Sequence, residues 1–440
     1  MAELRRGAQE RLILHCDCNN FFASCECIDH PELKNVPMAV AGDPATRTGI
    51  VVAKNELAKK AGVRTTDTVW QAKRKCPGLV LMPPRHRLYS DVSRRVNQIY
   101  LSYTDRVEPA SIDESYLDLS GTLSYYGMTA RQLADDIRRR VREEIGVTIS
   151  VGVSYNKVFA KMGSDYRKPD ATTLVTPENF RDLLWPLPIR EMLFVGRASA
   201  RVLTAKGIYT IGALARMDER ALRQWLGKGG ETLWRNANGL DDEPVRLYGD
   251  VPLAKSVSRG LTFPRDLTGE AEIYAGLALL VDEVAACLRR EGLKGTIVQL
   301  TIKSPELTTI CRQATLPRPT FLYHEVLDAA MRLARENWPI DRGAPIRALT
   351  VGVSRLVPSD EATEQLSLFE MPGGEEMAYE KRRRQEKLES AIDGLRARFG
   401  RDAVSFSWPI EHPAGARGCE KASPFGEAPQ EKEPPPYGAN

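Results

Sequence analysis

The order of apolar and polar positions divides the chain into two similar halves separated by a helical region. Residues 12–18 form a short apolar run that ends at an acid, which is typical of a buried strand. From residue 88 the pattern predicts a helix, two strands joined by a turn, a second helix and a strand, over 88–103, 106–110, 115–119, 129–145 and 148–153. With the first strand, this order is β-α-β-β-α-β, into which residues 20–84 are inserted.

The same order of elements recurs in the second half. Residues 176–241 are predicted to be helical, and the turn-rich residues 242–253 are predicted to be a linker. The pattern then predicts a strand at 255–263, a helix through Leu277 and Val284, and a strand through Val298 and Ile302. A strand at 308–315, a helix at 323–338 and a strand through Val351 follow. Residues 254–357 therefore predict a second β-α-β-β-α-β domain.

Three segments of different character follow this domain. Residues 358–375 are loop-like but contain an apolar cluster, and residues 376–400 predict an amphipathic helix. The apolar stripe of that helix consists of Leu388, Ile392, Leu395 and Phe399. The tail, 413–440, is rich in proline and charge, and we expect it to be disordered.

Composition narrows the class of protein only a little. The chain has 440 residues, of which 42% are hydrophobic and 27% charged, values typical of soluble globular proteins. Its 62 basic and 58 acidic residues give a net charge of +4, which excludes a histone-like polycation but allows a local basic groove. No apolar run reaches the length of about 18 residues that a membrane span needs. The N-terminus also lacks a signal-peptide pattern, so we expect a cytoplasmic protein without membrane contact.

Two pairs of cysteines raise the question of a zinc site. Cys16 with Cys18, and Cys25 with Cys27, are each separated by one residue. Zinc ligands are usually spaced more widely, and no histidine lies between the two pairs. We therefore expect ordinary buried thiols at these four positions.

Three acids are the strongest candidates for chemistry. Asp17 ends the first strand, and Asp113 and Glu114 lie in the turn of SIDESYLDL. In a split β-α-β-β-α-β sheet the first strand lies antiparallel to the third, so these acids meet. Clustered carboxylates repel one another and favour a hard cation such as Mg²⁺, and two such ions can promote phosphoryl transfer. Alternatively, Asp113 and Glu114 are solvated turn residues, and the pattern alone leaves both interpretations open.

Three sequence blocks resemble the Y-family translesion DNA polymerases, and in particular their DNA polymerase IV group. They are HCDCNNFFASCE (15–26), SIDESYLDLSG (111–121) and SVGVSYNKVFAKMGSDYRKP (150–169), within a collinear match over about residues 11–357. The resemblance implies an α+β, right-hand polymerase with a ferredoxin-like palm and a helical thumb that contains a helix-hairpin-helix. Its parts would be a palm (11–19 and 85–175), fingers (20–84), a thumb (176–241) and a little finger (254–357).

The resemblance also implies roles for individual residues. Asp17 and Asp113 would bridge two Mg²⁺ ions, Glu114 would be the catalytic glutamate near the primer terminus, and the backbone carbonyl of Cys18 would be a further ligand. Phe22 would be the steric gate that excludes a ribose 2′-hydroxyl. The alternative for Phe22 is core packing by one ring of the Phe21–Phe22 pair.

Some of the residues that would contact the triphosphate differ from those usual in the family. The resemblance assigns Lys157 to the triphosphate, whereas lone lysines are more often solvated. In the fingers, Glu56 and Lys59 replace the family's usual tyrosine and arginine, so Lys59 keeps a charge without a bidentate fork. Asn19 replaces a common aspartate at a position that is not a principal metal ligand.

Contacts with DNA and with a processivity partner are implied at three places. The segment 192–208 resembles a helix-hairpin-helix, in which Gly196 and Arg197 would meet DNA phosphate. Lys255 and Arg259 lie on predicted little-finger strands, although a solvated face is the alternative for either. The apolar cluster Gln365, Leu366, Leu368 and Phe369 resembles the peptide that binds the bacterial sliding clamp, and the alternative is packing against helix 376–400.

These features predict an error-prone, template-directed DNA polymerase for translesion synthesis in DNA repair and damage tolerance. Its partners would be primer–template DNA, a dNTP and the sliding clamp, and we expect a monomer without a proofreading domain. One alternative is a nucleotidyl cyclase on a similar palm, which would not need the thumb hairpin or the clamp peptide. Another is a catalytically silent, clamp-tethered DNA-binding protein, against which the retention of all three carboxylates argues.

Overall fold

The structure is a computed structural model that describes residues 11–44, 47, 49–362, 374–400 and 403–404. Two compact units are present in this part of the chain, and they meet in sequence between Asp250 and Val251. The clamp-like cluster 365–369 and the tail 413–440 lie outside the described residues. No helix in the described ranges is long and apolar enough to cross a bilayer.

The first unit begins with the elements that build a central sheet and an inserted small sheet. In chain order they are β1 (Ile13–Cys18), α1 (Phe21–Asp29), β2 (Met38–Ala41), β3 (Val51–Lys54), α2 (Glu56–Lys60), α3 (Val69–Lys75) and β4 (Val80–Met82). They continue with α4 (His86–Leu101), β5 (Val107–Pro109), β6 (Glu114–Asp118), α5 (Leu123–Tyr126), α6 (Ala130–Ile145), β7 (Ile149–Ser154), α7 (Lys157–Tyr166) and β8 (Thr172–Leu174).

The central sheet has the predicted split topology. Its strand order is β5-β6-β1-β7-β8, and β1 runs antiparallel to both β6 and β7. The apolar faces of α4 and α6 pack in the same core as β1, because Val92, Val96, Leu133 and Ile137 recur at helical spacing and are buried. The β-α-β-β-α-β prediction is confirmed, and the short parallel strand β8 is an addition to it.

The inserted segment forms a three-stranded sheet of its own, in the order β3-β2-β4. A separate small core that includes Val51, Ala58 and Ala72 lies beneath this sheet. Helix α1, by contrast, packs in the core of the central sheet, although it falls within the range predicted for the fingers. The thiols of the two Cys-x-Cys pairs are buried and free, as expected.

Five short helices complete the first unit. They are α8 (Phe180–Leu184), α9 (Arg197–Ala205), α10 (Ile211–Ala215), α11 (Glu219–Leu226) and α12 (Lys228–Ala237). Buried apolar side chains such as Leu203, Ile211 and Leu222 form their common core. This arrangement confirms the helical region predicted at 176–241.

The second unit contains the second β-α-β-β-α-β arrangement. Its elements are β9 (Ser256–Leu267), α13 (Gly269–Arg290), β10 (Leu293–Lys303), β11 (Thr309–Thr320), α14 (Tyr323–Asn337), β12 (Ile346–Pro358) and α15 (Gly374–Phe399). The four strands form one antiparallel sheet in the order β11-β10-β12-β9, and the alternating apolar positions of β10 lie opposite those of β12, as in Leu300 opposite Val351. Helices α13 and α14 share its core.

Helix α15 is held to this unit by buried ion pairs. Arg289 of α13, whose side chain is 4% exposed, lies 2.5 Å from both Glu389 and Asp393 of α15. Glu389 is fully buried and also accepts a hydrogen bond from the backbone N–H of Tyr323. The helix was predicted from its apolar stripe, yet Leu388, Leu395 and Phe399 are exposed. Because Arg289 is buried, its charge requires these carboxylates, and they determine which side of α15 faces inward.

Candidate active site

The pairing of β1 with β6 brings the predicted acids together. Asp17 lies directly opposite Glu114 in the register of these strands. The backbone N–H of Cys18 donates to the carbonyl oxygen of Asp113 at 2.9 Å, which fixes the turn beside the end of β1. Asp17 is 5% exposed, and Asp113 and Glu114 are partly buried. The interpretation of Asp113 and Glu114 as freely solvated turn residues is therefore wrong.

Each of these carboxyl groups has a perturbed pKa. Burial raises the pKa of Asp17, but hydrogen bonding with Glu114 and the charges of Lys161 and Lys168 outweigh it and lower the pKa to about 2. Burial, followed by the hydrogen bond with Asp17, raises the pKa of Glu114 to about 7. Burial also raises the pKa of Asp113, against a hydrogen bond from Ser111. The cluster therefore favours added positive charge.

Two lysines that the sequence analysis did not identify supply positive charge to this cluster. Lys161 Nζ lies 2.6 Å from Glu114 Oε1 and 3.0 Å from Asp17 Oδ2. Lys168 Nζ lies 2.6 Å from Asp17 Oδ2 and 2.7 Å from Asp165 Oδ1. Both lysines could have been considered from the sequence, because they lie in the block 150–169 that resembles the Y-family polymerases. In that block Lys161 follows Lys157 by one helical turn.

The donor set suits a hard divalent cation. Its ligands are carboxylate oxygens, while burial raises the pKa of the neighbouring thiols of Cys16 and Cys18 and keeps them protonated. Within the described ranges, no three side chains of His, Cys, Asp and Glu are arranged as a ready-made metal site. The carboxylates contact the ammonium groups instead. A divalent metal therefore fits the chemistry of the site but requires the lysines to move.

A close contact between α7 and β7 positions Lys161. A Cβ atom on Gly152 of β7 would lie 1.9 Å from the carbonyl oxygen of Ala160, so only glycine permits this approach. The same contact brings Ser164 to His15 of β1, with 2.8 Å between Oγ and Nδ1. Ser164 Oγ donates to the Lys161 carbonyl, so His15 Nδ1–H donates to Ser164. Burial lowers the pKa of His15 to about 3 and keeps it neutral.

Lys157 does not lie at this cluster. Its ammonium group is buried between Glu108, at 2.9 Å, and Glu243, at 3.1 Å. Glu108 of β5 is itself buried and also accepts the backbone N–H of Arg246 at 3.0 Å. Lys157 is therefore the partner of a buried carboxylate in this structure, and its assignment to the triphosphate stays a prediction.

The same contacts redefine the predicted linker. Val245 is 1% exposed and packs with Ile13 and Ala160, and Arg246 forms an ion pair with Glu108 at 2.9 Å. Residues in the first part of 242–253 thus belong to the packing of the first unit. After Asp250 the chain passes from the first unit into the second.

The two rings of the Phe21–Phe22 pair have different surroundings, because one is buried and the other is partly exposed. Asn20 adopts a left-handed conformation, with φ of 50°, immediately before α1. Phe21 is buried in the core of the central sheet, whereas Phe22 is partly exposed and stacks on Tyr89, with ring centroids 4.1 Å apart. Asn19 is held away from the cluster by Thr148, at 3.1 Å, and by Ser150, at 2.8 Å. The role of Phe22 as a gate stays a prediction.

The substituted residues of the inserted segment contact each other. Glu56 Oε1 accepts a hydrogen bond from Asn20 Nδ2 at 3.1 Å and lies 3.4 Å from Lys59 Nζ. Lys59 is exposed. These contacts direct the Glu56 charge toward Asn20 and Lys59, and a contact of Lys59 with triphosphate stays a prediction.

The candidate DNA contacts are at the surface. Gly196 caps the N-terminus of α9, Arg197 is the first residue of that helix, and both are exposed. In the second unit Lys255 is exposed, and Arg259 of β9 is half-buried and lies 3.8 Å from Glu283. Their accessibility is compatible with phosphate contacts, which stay predictions.

Comparison with known proteins identifies the family. Two models of the impB/mucB/samB family match the chain, the main one at residues 16–165 and the C-terminal domain at residues 254–368. The chain is 45% identical over 392 residues to the DNA polymerase IV of Acetivibrio thermocellus, which covers 89% of this chain and 95% of that protein. It is 35% identical over 395 residues to the DNA polymerase IV 1 of Bacillus subtilis, with 89% and 91% covered.

A solved structure agrees with this assignment. A Y-family DNA polymerase chimera superimposes with a TM-score of 0.69 at 25% identity, covering 79% of this chain and 99% of the chimera. The resemblance inferred from three short blocks is thus confirmed, and so is the α+β right-hand fold. The chain belongs to the impB/mucB/samB family and, within it, to the DNA polymerase IV group of the Y-family DNA polymerases.

Proposed function

We propose that this protein is a template-directed DNA polymerase of damage tolerance that uses Asp17, Asp113 and Glu114 to hold two Mg²⁺ ions. The main support is the register that places Asp17 opposite Glu114 with Asp113 hydrogen-bonded beside it. Dependence on a divalent metal is a property of the family, whereas the number of ions and their ligands are part of the proposal. Relatives named DNA polymerase IV supply the substrate class.

The side chains of the site have distinct tasks in this proposal. Bound divalent cations would lower the pKa of the primer 3′-hydroxyl and neutralise charge on the triphosphate. Asp17 and Asp113, from neighbouring strands, would bridge the two ions, with the Cys18 carbonyl as a further ligand. Glu114 would hold the ion next to the primer terminus.

The two lysines of the site would then change partners. Lys161 and Lys168 contact the carboxylates through flexible side chains that are 15% and 30% exposed. With cations at the carboxylates, the ammonium groups of Lys161 and Lys168 would be free to contact the phosphates of the incoming nucleotide. This exchange would keep the net charge of the pocket balanced before and after the substrate arrives.

The remaining partners follow from the surface residues and the tail. Phosphate contacts from Gly196, Arg197, Lys255 and Arg259 would bind primer–template DNA without reading its sequence. Residues 365–369 would bind the bacterial sliding clamp. We further propose that the protein acts as a monomer in the cytoplasm.

The two alternative functions are less well supported. A nucleotidyl cyclase would not require the second unit, which the family's C-terminal model matches. A catalytically silent DNA-binding protein would not require three partly buried carboxylates at one strand end, whose burial is unfavourable unless they bind a cation.

Primer extension with a matched pair of variants tests the proposal. Asp113→Asn and Glu114→Gln should each reduce dNTP insertion by at least about a thousandfold, because they remove charge that binds Mg²⁺. Asp118→Asn, at the other end of β6 where the side chain accepts the Ser120 N–H at 2.9 Å, should insert dNTPs normally. If Asp113→Asn extended a primer within about tenfold of the wild-type rate, the metal assignment would be wrong.

A further inference from the structure

A buried carboxylate lies on the same helix as Phe22, one turn further along. Glu26 of α1 is fully buried. Its Oε1 accepts a hydrogen bond from the hydroxyl of Tyr89 at 2.6 Å. Its Oε2 accepts a hydrogen bond from Arg85 Nε at 2.9 Å, and Arg85 also binds Asp29 at 2.8 Å. These contacts join α1 to the start of α4.

The ring of Tyr89 is the platform on which Phe22 rests. Tyr89 is fully buried, and its ring is inclined by only 13° to that of Phe22. The ring of His86, one turn earlier on α4, is nearly perpendicular to that of Phe22, with centroids 6.0 Å apart. Two rings of α4 thus lie against Phe22, while part of the Phe22 ring stays accessible.

Burying this carboxylate is costly, and packing alone does not require it. An apolar residue at position 26 could fill the same space, whereas a buried ion pair is often less stable than an apolar replacement. The Glu26–Arg85 ion pair instead contributes orientation. The carboxylate of Glu26 accepts the hydrogen bond from the Tyr89 hydroxyl, and the guanidinium group of Arg85 holds that carboxylate in place. Because the O–H bond of a phenol prefers the plane of its ring, this fixed acceptor restrains the plane of the Tyr89 ring, and with it the plane of the ring stacked on it.

We infer that Glu26, with Arg85, is a positioning residue for sugar selection: it fixes Tyr89, and Tyr89 fixes the ring of Phe22. The inference rests on the proposed function in one respect, that Phe22 is the surface against which the sugar of the nucleotide is placed. A ring excludes a single hydroxyl group only if it cannot tilt away, since functional groups must be held to within about 0.5 Å. The Glu26–Arg85 pair limits the tilt of the Phe22 ring, because it fixes the Tyr89 ring on which Phe22 is stacked.

The test is the ratio of kcat/KM for an rNTP to kcat/KM for the matching dNTP, measured with Mg²⁺ on a short primer–template. Tyr89→Leu, which removes the platform, should raise the ratio by about tenfold. Tyr89→Phe and Glu26→Gln, which keep the volumes but loosen the anchor, should raise it by about threefold. A loss of stability alone lowers both efficiencies together and leaves their ratio unchanged.

A second buried tyrosine provides the matched control. Tyr103 donates its hydroxyl to Asp136 at 2.6 Å within the same core cluster, but its ring lies against Tyr126. Tyr103→Phe should therefore lower thermal stability about as much as Tyr89→Phe and leave the sugar ratio unchanged. Equal changes in both variants would overturn the inference.

Phe22→Ala, measured in parallel, separates this inference from the proposed gate. If Phe22→Ala raises the ratio but Tyr89→Phe, Glu26→Gln and Tyr89→Leu leave it within about twofold of wild type, the gate is correct and the inference is wrong. If Phe22→Ala itself leaves the ratio unchanged, the proposed gate is wrong. Should Tyr89→Leu not fold, the two conservative variants still decide the outcome.

Discussion

Lys161 Nζ lies 2.6 Å from Glu114 Oε1, whereas Lys157, one helical turn earlier on α7, contacts Glu108 and Glu243 instead. The two lysines therefore have different tasks despite their proximity in sequence. Lys161 contacts the carboxylates of the candidate active site. Lys157 joins β5 to the segment that follows the thumb helices.

Replacing Lys161 by methionine should impair catalysis more than stability. The variant keeps the length of the side chain but removes a positive charge beside the reacting phosphates, so we expect kcat for dNTP insertion to fall about a hundredfold. Lys161→Arg should restore part of this loss. Single-turnover insertion with saturating Mg²⁺ measures both, and a Lys161→Met rate within about threefold of wild type would mean that Lys161 is only a partner of the resting carboxylates.

Replacing Lys157 by methionine should have the opposite effect. Both Lys157 and Glu108 are 8% exposed, so the variant leaves a buried carboxylate without this partner. Because Arg246 still contacts Glu108, we expect a loss of about 1–3 kcal/mol in the free energy of unfolding of the first unit. The exposed Lys60→Met is the control. Thermal unfolding measures the loss, and a stable Lys157→Met protein with a strongly raised KM for dNTP would support the triphosphate assignment.

His15 makes stability depend on pH in a defined direction. Its ordinary pKa of 6.5 is lowered to about 3 by burial, so below pH 6.5 the unfolded chain binds a proton that the folded chain does not. Stability from this group is complete above pH 6.5 and is lost as the pH falls, by about 1.4 kcal/mol at pH 5.5. His15→Asn should lose correspondingly less between pH 7.5 and 5.5 in urea titrations. An identical loss in both proteins would contradict the buried neutral histidine.

The proposed clamp peptide can be tested apart from the active site. Phosphate contacts weaken with salt, so the enzyme should leave DNA after few insertions unless a ring around the duplex retains it. Changing Leu368 and Phe369 to alanine should abolish stimulation by the clamp on long primed templates, because few residues account for most of such affinity. Extension of a short primer should be unaffected. Met371→Ala is the control, and loss of short-primer extension in the double variant would mean that the cluster stabilises the polymerase itself.

The sequence was most informative where periodicity and connectivity decide the structure. Short apolar runs and alternating apolar positions predicted the strands of both sheets, and the split order of the first sheet was enough to bring Asp17 to Asp113 and Glu114. These inferences need only the backbone, since neighbouring strands of known direction determine which ends meet.

Side-chain direction could not be predicted in the same way. Lys157 and Lys161 lie on one face of α7, so which of them reaches the carboxylates depends on where α7 lies along the sheet, and the close approach of Ala160 to Gly152 helps to fix that position. The packing of Val245 depends on Glu108, which is more than a hundred residues away and binds Arg246. The apolar stripe on α15 is exposed for a similar reason. The buried Arg289 of α13 requires Glu389, so the side of α15 that carries Glu389 faces inward.

The residue that most limits the active site has no functional group. At Gly152 even a methyl group would overlap the backbone of α7, so α7 would have to lift from the sheet and take Lys161 with it. In a library of random substitutions selected only for DNA synthesis, position 152 should return glycine alone, whereas Gly78, where an added Cβ meets nothing within 4 Å, should accept many residues. An invariant position of this kind resembles a catalytic residue in such data, although what is preserved there is the close packing of α7 against β7.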